Sequence, residues 1–214
     1  MRTLCLCLML LTLAQTSWAD MPAARVNGVD IGVLRLERYF SEYLEAQGRA
    51  VTSIRNPALY KRLRAQALDD LIDKELLWQE AQRRGIVITD EQVSAQVGEV
   101  EAAFGSPALF ERRLADAGFD RAAYADYMRH ELASQQVYAQ LSAVQAPTQA
   151  EVEAFYQANR QRLQGAQNQS DNPSVIPEQG LVLARAALIG QLQTQARQSV
   201  RQRLRESATV ELAD

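Results

Sequence analysis

The side chains that most often carry chemistry are scarce in this sequence. There is a single histidine, His130, between Arg129 and Glu131, and both cysteines, Cys5 and Cys7, stand near the start. A metal centre needs several convergent His, Cys or carboxylate ligands, and a nucleophilic site needs a base beside a Ser or Cys. No second histidine, neighbouring cysteine or serine nucleophile motif accompanies His130, so it reads as a surface or helix-packing residue. Asp69, Asp70 and Asp73 stand at helical spacing, and two such carboxylates could work as acid and base. A plainer reading accounts for them: Asp70 and Lys74 form an i,i+4 helix pair, while Asp69 and Asp73 lie on a solvated face. Asn168-Gln169-Ser170 matches a glycosylation acceptor, in a polar stretch where such triplets arise by chance. No catalytic residue, metal or cofactor is expected.

Binding chemistry is better represented. Tyr39, Phe40 and Tyr43 crowd one segment with helical spacing, and Tyr124, Tyr127 and Met128 another; Trp78, Phe104, Phe110, Phe119 and Tyr138 are spread more widely. Most such residues belong in a core. Tyrosine and methionine also suit an adaptable groove, because they offer apolar area with polar or conformational tolerance. An exposed apolar groove is most often a binding site. Tyr39, Phe40, Tyr43, Tyr124, Tyr127 and Met128 are therefore the candidate substrate-binding residues.

The elements that would position them follow a leader. Arg2 is a short positive region, residues 4–13 are apolar, and Ser17-Trp18-Ala19 is a small-x-small cleavage signal. The apolar run is about half of the ~20 residues a membrane-spanning helix requires. Residues 1–19 thus read as an export signal cleaved after Ala19. The chain from Asp20 onward contains no cysteine, which excludes disulfides and thiolate sites. Residues 20–214 suffice for one domain. The formal net charge is −3, and no arginine cluster interleaves with aromatics, so nucleic acid is not an expected partner.

Alternating Val26, Val29 and Ile31 around Asn27-Gly28 predict a two-residue hairpin. The period then becomes helical through Leu34, Leu36, Tyr39, Phe40, Tyr43 and Leu44 to a stop at Gly48. Asn56-Pro57 opens a long helix ending at Gly85. Thr89 with Gln92 is a capping box for a third helix, Ser106-Pro107 starts a fourth, and Asp120 caps a fifth over residues 121–144. Thr148 with Glu151 opens a sixth, reaching residue 163. A seventh is marked by Leu181, Leu188, Leu192, Ala196, Val200 and Leu204, and Val210 with Leu212 alternate as a closing strand. A lone strand must pair to satisfy its backbone, so both ends of the exported chain should meet in one small sheet. The fold class is mainly α, about seven helices with short terminal strands.

Residues 165–180 break this pattern with Asn, Gln, Ser, Pro and Gly. Such a stretch spans typically ~20–25 Å and is too short to fold as a domain. It separates residues 20–164 from a return segment, residues 181–214.

"ARVNGVDI", "LDDLIDKELLWQEA", "RRGIVITDEQV" and "LADAGFDRAAYADYMRHEL" resemble the amino-terminal chaperone domain of SurA-type periplasmic proteins. The likeness covers residues 24–164, and the last helix and strand resemble that family's carboxyl-terminal return segment. In that family one or more parvulin-type prolyl isomerase domains are inserted before the return; here sixteen residues, 165–180, stand in that place. The resemblance implies a non-catalytic periplasmic chaperone, holding unfolded exported or outer-membrane proteins in an apolar groove without nucleotide or metal. The alternative is a dedicated assembly factor or structural subunit for one secretion or adhesin partner, and a less favoured one a residual peptidyl-prolyl isomerase. Stable membrane insertion is not expected. The long linker also allows the return segment to complete a neighbour's sheet, giving a domain-swapped homodimer.

Overall fold

The computed structural model describes residues 21–163 and 178–213; residues 1–19, read above as an export signal, and residues 165–177 of the expected linker lie outside them. Two short strands, β1 (Pro22–Val26) and β2 (Val29–Gly32), come first. Eight helices follow: α1 (Val33–Glu45), α2 (Pro57–Arg83), α3 (Asp90–Ala103), α4 (Pro107–Asp116), α5 (Arg121–Leu141), α6 (Gln149–Ala158), α7 (Arg160–Leu163) and α8 (Glu178–Glu206). Strand β3 (Val210–Leu212) closes the order. The mainly α class holds, and so does the pairing of the two ends: β1 is the middle strand of an antiparallel sheet ordered β2-β1-β3.

Most boundaries follow from the chemistry of a few residues. The hairpin turn has φ of 51° at Asn27 and 85° at Gly28, the pair of positive angles that a primed turn demands and that Asn-Gly tolerates. Asn56 Oδ1 accepts from the amides of Ala58 and Leu59 at 2.9 and 3.2 Å, and capping boxes close at Thr89/Gln92 and Thr148/Glu151. Helix α2 ends on Gly85 at φ 68°, where the Gly85 amide donates to Gln82 and the Ile86 amide to Ala81. That double bond pattern is a Schellman stop, in which glycine takes the left-handed position.

Three ends differ from expectation. Helix α5 stops at Leu141, short of residue 144, where Ser142 Oγ donates to the Tyr138 carbonyl at 2.6 Å. Such local bonds compete with the helix ladder. Asn159 divides the sixth predicted helix into α6 and α7 by donating its side-chain amide to the Phe155 carbonyl at 2.9 Å. Helix α8 begins at Glu178, before Leu181; the acidic residue suits the positive end of the helix dipole.

The chain forms two compact units: the described residues of 1–72 with 210–213, and residues 73–209. In the first, the buried apolar side chains come from β1 and β2 (Ala24, Val26, Ile31), α1 (Leu36, Phe40, Leu44) and the first part of α2 (Leu63, Ala67). The second has one cluster built on Leu77, Ala81, Ile88, Val93, Ala133, Val137 and Val200, and a smaller one of Val152, Tyr156 and Ala184 between α6 and α8. Among the described residues no helix is long and apolar enough to cross a membrane.

Ion pairs fix helix ends in the second unit. Glu80, with only 10% of its side chain exposed, receives Arg83 at 2.7 Å and Arg84 at 2.6 Å. The Arg83 hydrogen bonds, opposed by desolvation and aided by Arg84, lower the carboxyl from 4.5 to about 2. Because the folded value is depressed, the stabilisation is present at neutral pH and lost as pH falls from about 4.5 toward 2. Arg83 is largely solvated, so screening reduces the effect to roughly 1–2 kcal/mol. Urea titrations of Glu80→Gln should show that loss at pH 7 and a flatter decline in stability between pH 5 and 2; parallel curves for the two proteins would refute the assignment.

Candidate functional site

The chemically conspicuous residues resolve into packing. His130 is exposed at the surface and stacks on Trp78 with ring centroids 3.9 Å apart and planes 17° apart, linking α5 to α2. Asp73 is not on a solvated face as expected. Only 17% of its side chain is exposed, and Arg205 donates to it at 2.5 Å with Arg201 at 3.9 Å. Its partner on α8 lies 132 residues away in the chain, a proximity that local spacing does not reveal. Lys74 is paired with Glu131. Among the described residues no group of three metal-ligating side chains converges.

A partly exposed aromatic row runs along the second unit. Its scaffold is the α4–α5 corner. Ser106 Oγ accepts from the Leu109 amide at 3.3 Å, and Asp120 Oδ1 from the Ala123 amide at 2.7 Å, fixing both helix starts. Between them Gly118, at φ 74°, closes α4, and the Phe119 amide reaches back to Leu114 at 2.8 Å. Phe119 is thereby set beside α5, 5.7 Å from Tyr124 and 5.4 Å from Tyr127 between ring centroids. Tyr124 and Tyr127 are 6.0 Å apart, and Tyr124 also meets Phe110 edge-on at 5.7 Å. Phe104 continues the row at 5.8 Å from Phe110.

Phe110 is fully buried beneath its neighbours, whereas Phe104, Phe119, Tyr124 and Tyr127 keep part of their surface in solvent. Arg121 rests 5.4 Å from the Phe110 ring centre and is held by Glu111 and, at 3.1 Å, by Glu101. The site therefore has an ion-paired polar rim, with two carboxylates on one guanidinium, beside a partly open aromatic face. Such a surface can take apolar side chains with little specificity beyond shape.

Of the six residues singled out from the sequence, Tyr124 and Tyr127 lie together in this row. Met128, on the same helix, packs against the main cluster of the second unit. Tyr39, Phe40 and Tyr43 belong to the first unit. Phe40 is fully buried and meets Tyr60 edge-on at 5.3 Å, so it carries the α1 face from below. Tyr39 and Tyr43 are partly exposed, and the Tyr43 hydroxyl is 3.5 Å from Gln66 Oε1.

A second apolar surface escaped the sequence reading. Leu181, Val182, Ala186 and Ile189 of α8, with Gln149, Glu178 and Arg185, line an open cleft of about 460 Å³. Arg185 closes one side by donating to the Pro147 carbonyl at 3.1 Å and Gln149 Oε1 at 2.8 Å. The signal was available: Val182, Ala186 and Ile189 recur at i, i+4 and i+7, beside the Leu181/Leu188 stripe that faces α6.

Gly180 shows how tightly α8 sits on α6. A Cβ there would come within 2.5 Å of Tyr156 Cε2, and the Tyr156 ring is itself buried. Alanine ordinarily favours a helix interior over glycine by up to ~1 kcal/mol. Here overpacking outweighs that gain, and Gly180→Ala is expected to cost roughly 1–3 kcal/mol, measurable as a lower thermal midpoint. An unchanged or raised midpoint would show that the ring can yield.

Comparison with known proteins agrees with this architecture. The family described as the SurA-like N-terminal domain matches residues 5–138, more than half of the chain. No curated protein matches. A solved structure, from work on the virulence factor PEB4 and the periplasmic protein Cj1289 as two structurally related SurA-like chaperones of Campylobacter jejuni, is similar at a TM-score of 0.53. The identity is 12%, over 91% of this chain and 99% of that one. At that identity the likeness is one of fold.

Proposed function

We propose, from the premise that this chain belongs to the SurA-like N-terminal domain family, that it is a non-catalytic chaperone of exported polypeptides. It would hold unfolded or partly folded clients, outer-membrane proteins among them, by reversible burial of their apolar side chains. The observation that carries this reading is the partly open aromatic row of Phe104, Phe119, Tyr124 and Tyr127. Tyr39 and Tyr43 are proposed as a second contact surface, with Phe40 and Met128 supporting the two faces from beneath. Holding without nucleotide requires modest affinity, about micromolar.

The periplasm is the proposed compartment, reached after cleavage behind Ala19, with residues 20–214 acting as one chaperone module. Isomerase chemistry is not part of the proposal: the single histidine is stacked on Trp78, and a proline-limited protease assay should detect no catalysed turnover. A return segment exchanged between copies is compatible with the sheet, since β3 contributes a complete pairing to β1.

The direct test is aggregation. A denatured outer-membrane β-barrel protein and a denatured soluble enzyme are each diluted into buffer with the purified protein, and light scattering is followed. Suppression of both supports a general holdase, and suppression of the barrel alone narrows the clients to outer-membrane traffic. Unchanged scattering for both at several-fold excess would overturn the reading in favour of one dedicated partner.

A further inference from the structure

The small sheet has an edge that its own unit leaves open. The Ala213 amide donates to the Ala23 carbonyl at 3.1 Å, and the register pairs Ala24 with Leu212, Arg25 with Glu211 and Val26 with Val210. In an antiparallel ladder hydrogen-bonded and non-hydrogen-bonded pairs alternate. Glu211 and Ala213 therefore turn their amides toward β1, and Val210 and Leu212 turn theirs outward. No strand among the described residues lies beyond β3.

The side chains continue the same pattern. One face carries two apolar rows, Val29–Val26–Val210 and Ile31–Ala24–Leu212. Val26, Ala24 and Ile31 are buried, whereas Val29 at the hairpin turn is 46%, Val210 38% and Leu212 65% exposed. The apolar face thus runs past what the unit covers. On the other face the row is Asp30–Arg25–Glu211, with Arg25 bonded to both Asp30 oxygens at 2.6 and 3.1 Å. The Arg25 guanidinium is committed to Asp30, and Glu211, opposite Arg25 in the register, is the outermost charge.

We propose that the outer edge of β3 is a strand-addition site for an extended polypeptide segment in which two apolar residues flank a lysine or arginine. The outward amides and carbonyls of Val210 and Leu212 supply the ladder, their side chains receive the apolar pair, and Glu211 receives the cation. Charge complementarity also selects against a second copy of this chain. In the antiparallel register that sets Val210 across from Leu212, Glu211 would face Glu211, and like charges directly opposed are destabilising. Lysine, proline and bulges commonly blunt such edges; β3 contains none of them. The inference is independent of whether the aromatic row of the second unit binds clients.

The test uses two fluorescein-labelled peptides of alternating Thr and Val, one with Lys and one with Glu at the centre, titrated into the purified protein by anisotropy. The Lys peptide should bind about tenfold more tightly. Glu211→Lys should reverse that preference, and Leu212→Pro, which deletes an outward-facing donor, should abolish binding. In the unaltered protein, amide exchange at Val210 and Leu212 should slow when the Lys peptide is added, a readout that does not depend on a variant folding. Equal affinity for both peptides, unchanged exchange at those amides, or a concentration-dependent dimer that itself protects them would overturn the proposal.

Discussion

Phe40→Ala is expected to lower stability by ~3–5 kcal/mol, the range for emptying a buried aromatic site. The ring is fully buried on the α1 face that also buries Leu36 and Leu44, and Tyr60 meets it edge-on. Tyr43→Ala, at a partly exposed position about one helical turn from Phe40 and with the Tyr43 hydroxyl 3.5 Å from Gln66, should cost about 1 kcal/mol or less. Urea midpoints for the two variants separate the roles. Comparable losses would mean that burial does not distinguish these adjacent aromatics and that α1 works as a single surface.

The second large effect concerns client handling. Replacing Tyr124 and Tyr127 together by alanine should weaken client retention tenfold or more, since aromatic anchors at interfaces commonly contribute about 1–2 kcal/mol each. The pair forms one end of the row with Phe119, so both are needed to remove the face. Tyr→Phe at both positions should retain activity, because apolar area and not the hydroxyl makes the contact. Light scattering of a diluted barrel protein provides the readout, and thermal melts establish that α5 remains folded. A double alanine variant that is stable and fully protective would move the site to another surface, with the α8 cleft next in line.

The outline of this fold was legible because its boundaries are set by short-range chemistry. Asn27-Gly28 specifies a primed turn, Thr89 and Thr148 open helices through capping boxes, and Gly85 takes a left-handed angle that terminates α2. Each decision involves residues within about one helical turn, so spacing suffices. The closing strand was legible for another reason. A lone Val-Glu-Leu segment must find backbone partners, and the only other strand pattern lay at the opposite end of the chain.

Where helices end by competition, spacing alone was a weaker guide. Asn159 could continue α6 or bond its own preceding turn, and the sequence pattern permits both; the bond to Phe155 broke the helix. The same holds for Ser142 at the end of α5.

The candidate sites divide along similar lines. Sequence located the aromatic residues, and with them the chemistry of an apolar, adaptable surface. It did not separate Phe40 from Tyr39 and Tyr43, because adjacent positions on one helix differ in burial only through what packs against them. It placed Asp73 in solvent, although Arg205 was waiting on a helix distant in the chain. Thus local identity determined which elements form and what kinds of contact they can make. Only the tertiary structure decided which aromatics are covered, which carboxylates are paired and which strand edge stays open, because each depends on neighbours brought together by the chain's return.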